Sequence, residues 1–274
     1  MLPFRCAGQV SNGPAPPVAD PICGFIAGPH VYSETSQIKQ GLSVDIFVGQ
    51  PRVNQPVTLR FFVHQKPRNM PVDQLQIEHE KFIHVLGVRD DLKEFFHLHP
   101  TRVSPGMWEA SYTFTHPGNY KIWTDLKSRG VSYSLGHSKL TVLGNSSESN
   151  SGTATGDTPK KSDYKVAFTH SGSLITGQTN QLQFVIRDAS GSPVEIENYL
   201  GTPMHLIIVK DDLSAYLHAH PEPRLRDDAP IRFTQAFSQP GNYKLFAQFR
   251  PKIAQLPKDE TILEEFVITV GSGT

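Results

Sequence analysis

The chain carries one pattern twice. QPVTLRFFVHQKPRNMPV, from Gln55, answers to NQLQFVIRDASGSPV, from Asn180. HVLGVRDDLKEFFHLHP, from His84, aligns without a gap with HLIIVKDDLSAYLHAHP, from His205. FTHPGNYKIWTDL then answers to FSQPGNYKLFAQF, and the copies close on SKLTVLG and EFVITVG. An internal duplication of a unit of about a hundred residues means that each copy must be the same folding unit. The 274 residues are enough for two such units, each with its own core.

Within each unit the runs are short, alternating or β-branched, and bounded by Gly, Pro, Asn and Asp, with almost no helical period. In the second copy they lie near Tyr164–Thr169, Gln181–Arg187, Met204–Lys210, Ala215–Ala219, Ile231–Ser238, Tyr243–Phe249 and Ile262–Val270. About seven strands in a hundred residues predict an all-β chain of two tandem antiparallel β-sandwiches, immunoglobulin-like or cupredoxin-like. The boundaries follow from composition. Residues 1–40 are a Pro/Gly-rich segment, 41–144 the first repeat, 145–161 a small, polar linker and 162–274 the second repeat. PGNY, at Pro117–Tyr120 and Pro240–Tyr243, reads as a turn, because Pro fixes φ while Gly and Asn tolerate positive φ.

Lys+Arg and Asp+Glu balance at 26 each, so there is no basic surplus to hold a phosphate backbone, and nucleic acid is excluded as a partner. No apolar run approaches the roughly 20 residues that span a bilayer, and MLPFRCAGQ lacks the apolar region of a secretory signal. Cys6 and Cys23 both fall in the N-terminal segment, so neither core depends on a disulfide.

Chemistry concentrates in the hairpins. Side chains alternate faces along a strand, so His218 and His220 point the same way. If Asp211–Ser214 makes the turn, Lys210 pairs with Ala215 and His205 falls opposite His220. The same arithmetic pairs Arg89 with Glu94, sets His84 opposite His99 and leaves His97 diagonal. Cross-strand and diagonal neighbours lie roughly 5 and 7–8 Å apart, so each hairpin gathers three imidazoles. Such a patch is what copper or zinc requires, with one or two coordination positions left open. The candidate ligands are His84, His97 and His99 in the first repeat and His205, His218 and His220 in the second. Ligation needs neutral imidazole, so binding is expected to weaken below roughly pH 6. No cysteine can join, and Met204 faces away from His205, which argues against a blue-copper centre.

Two other readings compete. The histidines can bridge backbone groups at hairpin ends closed by Pro100 and Pro221, leaving a non-catalytic structural or protein-interaction module. An open metal position can alternatively serve a copper oxidoreductase. Among weaker candidates, His79 is either a further ligand for the first site or part of a solvated face with Glu78 and Glu80, while His64, His116, His137 and His170 are read as surface or turn residues. Asp90–Asp91 and Asp211–Asp212 are turn formers. No nucleophile with its base and no phosphate loop is present, so no catalytic residue is assigned.

HLIIVKDDLSAYLHAHP followed by FSQPGNYKLFAQF resembles a domain of bacterial secreted or membrane-associated proteins, of cupredoxin-like or immunoglobulin-like sandwich type, often in heavy-metal or copper contexts. That resemblance covers both repeats. It implies metal binding and an extracytoplasmic, periplasmic or secreted, location. DPICGF, Asp20–Phe25, is faintly similar to the opening of YHS-type heavy-metal modules, with Phe25 in place of their Met. Cupins and copper-zinc superoxide dismutase share His-x-His on a β scaffold. The cupin glutamate and the dismutase's bridging histidine and zinc set are not assembled here.

Overall fold

The computed structural model describes residues 29–144, 164–252 and 260–273. Cys6, Cys23, the DPICGF stretch and the whole 145–161 linker lie outside them.

Each repeat is a two-layer β-sandwich, as the strand-length runs predict. In the first, one sheet runs Gly41–Phe47, Pro56–Lys66, Met107–Thr113, Thr101–Ser104. The other runs His30–Glu34, Val131–Gly136, Gly118–Ser128, Ile83–Arg89, Phe95–Leu98. In the second repeat a sheet of Lys165–His170, Thr179–Arg187 and Ile231–Ala236 faces one built on Gly241–Pro251, Met204–Lys210 and Tyr216–Ala219, with Ile262–Val270 along Gly241–Pro251. Among the described residues no helix is long and apolar enough to cross a membrane.

Leu59, Phe61, Val85, Phe96 and Ile122 fill the first core, and Leu182, Phe184, Leu206, Phe233 and Leu245 the second. At Gly87 a side chain would overlap the Phe96 ring, since an added Cβ would fall 2.1 Å from Phe96 Cζ.

A third apolar cluster joins the repeats, and it explains a departure from ordinary alternation. Ile83–Arg89 and Met204–Lys210 are buried along almost their whole length, as strands covered on both faces are. One face of each enters its own core. The other carries Leu86 and Val88, or Ile207 and Val209, into a seam shared with Leu92, Phe95, Trp123, Leu213, Tyr216 and Phe246. The sequence match pairs Phe95 with Tyr216 and Trp123 with Phe246. The seam uses these pairs reciprocally: Phe95 stacks on Phe246 and Trp123 on Tyr216, each at 4.7 Å between ring centroids. The chain is therefore an intramolecular pseudo-dimer, the same face of each repeat meeting its counterpart.

Three expectations change. The end of the 1–40 segment belongs with the first repeat, because His30–Glu34 pairs in parallel with Val131–Gly136 and extends that repeat's sheet. PGNY bends only at its glycine, with φ of +135° at Gly118 and +134° at Gly241; Asn and Tyr already lie in strands. The tyrosines then close a corner, Tyr120 and Tyr243 donating to the backbone oxygens of His116 and Gln239 at 2.8 and 2.7 Å, a device of immunoglobulin-type sandwiches. Third, His64 and His137 are buried, not surface residues. His64 stacks on Phe62, and His137 Nε2 meets Thr124 Oγ1 at 2.7 Å. Burial holds the His137 pKa down at about 3.

Candidate functional site

Both hairpins adopt the register their spacing requires. The Arg89 and Lys210 amides donate to Glu94 and Ala215, and Val85 pairs with Leu98 as Leu206 does with Ala219. One residue further on, His84 stands opposite His99 and His205 opposite His220. Odd–even alternation sends these imidazoles to the seam while Met204, Leu206 and Leu217 enter the core.

The first hairpin brings three nitrogens to one point. His84 Nδ1 lies 3.1 Å from His97 Nε2, and His99 Nε2 lies 3.2 Å from both. Among the described residues this is the one set of three His, Cys, Asp or Glu donors within 4.8 Å of one another. A zinc or copper ion sits about 2.0–2.1 Å from each imidazole nitrogen, which tetrahedral angles convert to a nitrogen spacing of roughly 3.3 Å. The spacing here already agrees to within a few tenths of an ångström.

The outer hydrogen bonds fix which nitrogens carry protons. His84 Nε2 donates to the Glu78 carbonyl at 2.9 Å. His97 Nδ1 donates to Gln248 Oε1 at 3.0 Å, and the Gln248 amide is oriented by its nitrogen's bond to Thr261. The inward atoms, His84 Nδ1 and His97 Nε2, are then both lone-pair acceptors facing each other. A hydrogen from His99 Nε2 or a cation relieves that opposition. Orientation of ligand imidazoles by such outer acceptors is the usual arrangement around metals.

The second hairpin repeats most of this. His205 Nε2 donates to the Tyr199 carbonyl at 3.1 Å, His218 Nδ1 to Asp125 Oδ2 at 3.0 Å, and His205 Nδ1 meets His218 Nε2 at 3.2 Å. His220 does not close a matching triangle. Its ring packs 4.2 Å from that of His79.

The supports cross the seam. Asp125 faces His84 on its own sheet but accepts from His218 of the other repeat. Gln248 faces His205 but accepts from His97. The two imidazole groups consequently form one cluster, with His97 and His205 5.3 Å apart and His84 and His218 5.5 Å apart between centroids. Sequence reading treats the patches as separate. It assigns His79 to the first site, whereas that ring is nearer His205 than His84, at 5.8 against 6.2 Å. His30, Asp125 and Gln248 carried no motif; only the apolar runs VLGV and LIIV, buried on both faces, signalled a covering partner.

Burial keeps these imidazoles neutral. The pKa values of His84 and His205 lie well below the usual 6.5, first through burial and then through the neighbouring histidines. Burial takes His218 down to about 3 and lifts Asp125 to about 6. Lone pairs are therefore available at neutral pH without a proton to displace. His99, half-buried, borders an open groove of about 450 Å³ lined also by Lys81, Thr101 and Glu109.

Fold and site together define a tandem β-sandwich protein with a histidine cluster at the seam between its repeats. It belongs to the family described as "Domain of unknown function (DUF8832)", whose pattern matches residues 36–138 and 159–270. No curated protein matches the sequence. Solved structures share the β fold at low similarity. A DUF4426 family protein of Pseudomonas aeruginosa PAO1 is 11% identical with a TM-score of 0.30, over 41% of this chain and 94% of that one. FdeC, an Escherichia coli adhesin, is 11% identical at 0.28, over 84% and 66%. Invasin, a bacterial integrin-binding protein, is 10% identical at 0.26, over 85% and 39%. Scores this low carry no argument about function.

Proposed function

We propose that the chain binds a transition metal, copper or zinc, and carries, buffers or senses it. His84, His97 and His99 are the primary ligands, and His205, His218 and His220 their counterpart in the second repeat. The observation that carries this reading is the triangle of imidazole nitrogens at 3.1–3.2 Å, two of them held proton-free by outer hydrogen bonds. An all-imidazole set suits Cu(II) and Zn(II), and Met204, enclosed in the second core, is not available as a thioether. The solvent-side position at His99 leaves a place for exchange, which suits delivery. An extracytoplasmic site of action rests on the resemblance to secreted domains.

A second reading has its own support. A hydrogen on His99 Nε2, shared between His84 and His97, satisfies the triad without a metal, and the aromatic seam makes a rigid two-domain module. Such a module serves as a spacer or protein-interaction surface.

Metal content by mass spectrometry separates the two. After dialysis against limiting copper and zinc, the native chain is expected to retain stoichiometric metal, and the His99→Ala, His220→Ala double variant to lose it while keeping its far-ultraviolet dichroism. Negligible metal in both would leave the structural module standing.

A further inference from the structure

The second repeat's histidines depart from the first triad in one respect, and its cause lies across the seam. The turns that begin each hairpin are equivalent: Glu78 bridges Lys81 and Tyr199 bridges Thr202. Between them, His79 and Leu200 occupy the same left-handed position, with φ of +49° and +52°. His79 uses that position to reach over the second repeat. Its ring stands 4.2 Å from His220, 5.8 Å from His205 and 6.2 Å from His218.

Beside these rings is a small cavity, about 20 Å³, lined by His30, His79, His84, His218, His220 and Asp125. That volume admits one water-sized or ion-sized occupant. Two buried atoms in its lining residues, Asp125 Oδ1 and His30 Nδ1, lack a partner of good hydrogen-bond geometry, although Ser134 stands close enough to Asp125 to hold its pKa down through a side-chain hydrogen bond. Asp125 Oδ2, meanwhile, accepts from Tyr216 at 2.8 Å and from His218 at 3.0 Å. A buried carboxylate with one poorly compensated oxygen is costly, and a divalent cation close by offsets that cost.

We infer that the seam holds a second metal position of mixed parentage, with His205, His218 and His220 from one repeat, His79 from the other and Asp125 behind His218. This rests on the metal-binding reading above and extends it. The backbone register already matches that of the first hairpin, and the His79 and His220 rings, 4.2 Å apart, stand beside the His205–His218 pair. A carboxylate–histidine–metal relay is thereby completed in trans, as Gln248 completes its counterpart at His97. Neither repeat alone contains the site. Metal at this position ties the repeats together, whereas the first triad draws all three of its ligands from one hairpin.

The test uses His79→Leu in the full chain, because Leu200 shows that the turn accepts leucine at the equivalent backbone position. Zinc is titrated by calorimetry, and bound Cu(II) is counted by electron paramagnetic resonance. The native chain is expected to take up two ions. His79→Leu should keep the first and bind the second about 10-fold or more weakly, and His97→Ala should do the reverse. Asp125→Asn should weaken the second ion and spare the first. One ion in the native chain, unaffected by His79→Leu but lost in His97→Ala, would overturn the composite site and leave metal binding at the first triad intact. No binding in any form would remove both. Equal loss of both ions in His79→Leu would contradict separate positions.

Discussion

Trp123→Ala is expected to cost about 3–5 kcal/mol, the usual range for deleting a large buried aromatic. For a chain of this size that lowers the melting temperature by roughly 6–20 °C. Trp123 is fully buried, yet it belongs to neither sandwich core. It stacks on Tyr216, whose hydroxyl donates to Asp125, which in turn orients His218. Loss of the indole should therefore weaken the seam and the second imidazole pair together. Calorimetric melting with and without metal checks both. A comparison with Phe114→Ala, deep in the first core, separates seam from core. Phe114→Ala should cost comparable stability and leave metal uptake nearly unchanged. A Trp123→Ala chain that melts like the native one would show that the seam does not contribute.

Metal addition is expected to have an effect of similar size and opposite sign. Free zinc at about a thousand times the dissociation constant stabilises the native state by roughly 4 kcal/mol, provided that the unfolded chain binds little. The melting point should rise by roughly 8–16 °C. The direction follows from the geometry of the imidazoles. Burial already holds His84 and His205 unprotonated, and the inward nitrogens of each hairpin oppose one another at 3.1–3.2 Å. A cation at these points replaces a repulsion with a bond. His97→Ala should abolish most of the rise. Melting that is indifferent to both zinc and copper would favour the structural module.

Much of this was legible in the sequence because strands and hairpins are local. Met204–Lys210 and Ile262–Val270 stand where alternation and turn residues put them. The His84–His99 register followed from counting back from a four-residue turn. What sequence could not supply was the mutual position of the repeats. A strand such as HVLGVR shows apolar residues on both faces, but not which surface covers the second face. Trp123, Phe246, Asp125 and Gln248 gain their roles only once the two faces meet. His79 was assigned by proximity along the chain to the first triad, yet its left-handed turn projects it toward His220. His64 and His137 carry no motif, and their burial depends on packing across strands that a lone histidine does not signal; His137 meets Thr124 of the neighbouring strand, and His64 stacks on Phe62 of its own strand.

The most direct test of the central claim is the anomalous scattering of crystals of the full chain soaked in zinc or copper, recorded at the metal's absorption edge. The account predicts a peak about 2.0–2.1 Å from His84 Nδ1, His97 Nε2 and His99 Nε2, inside the seam between the repeats. Peaks confined to surface histidines such as His170, with the triad unchanged, would contradict it.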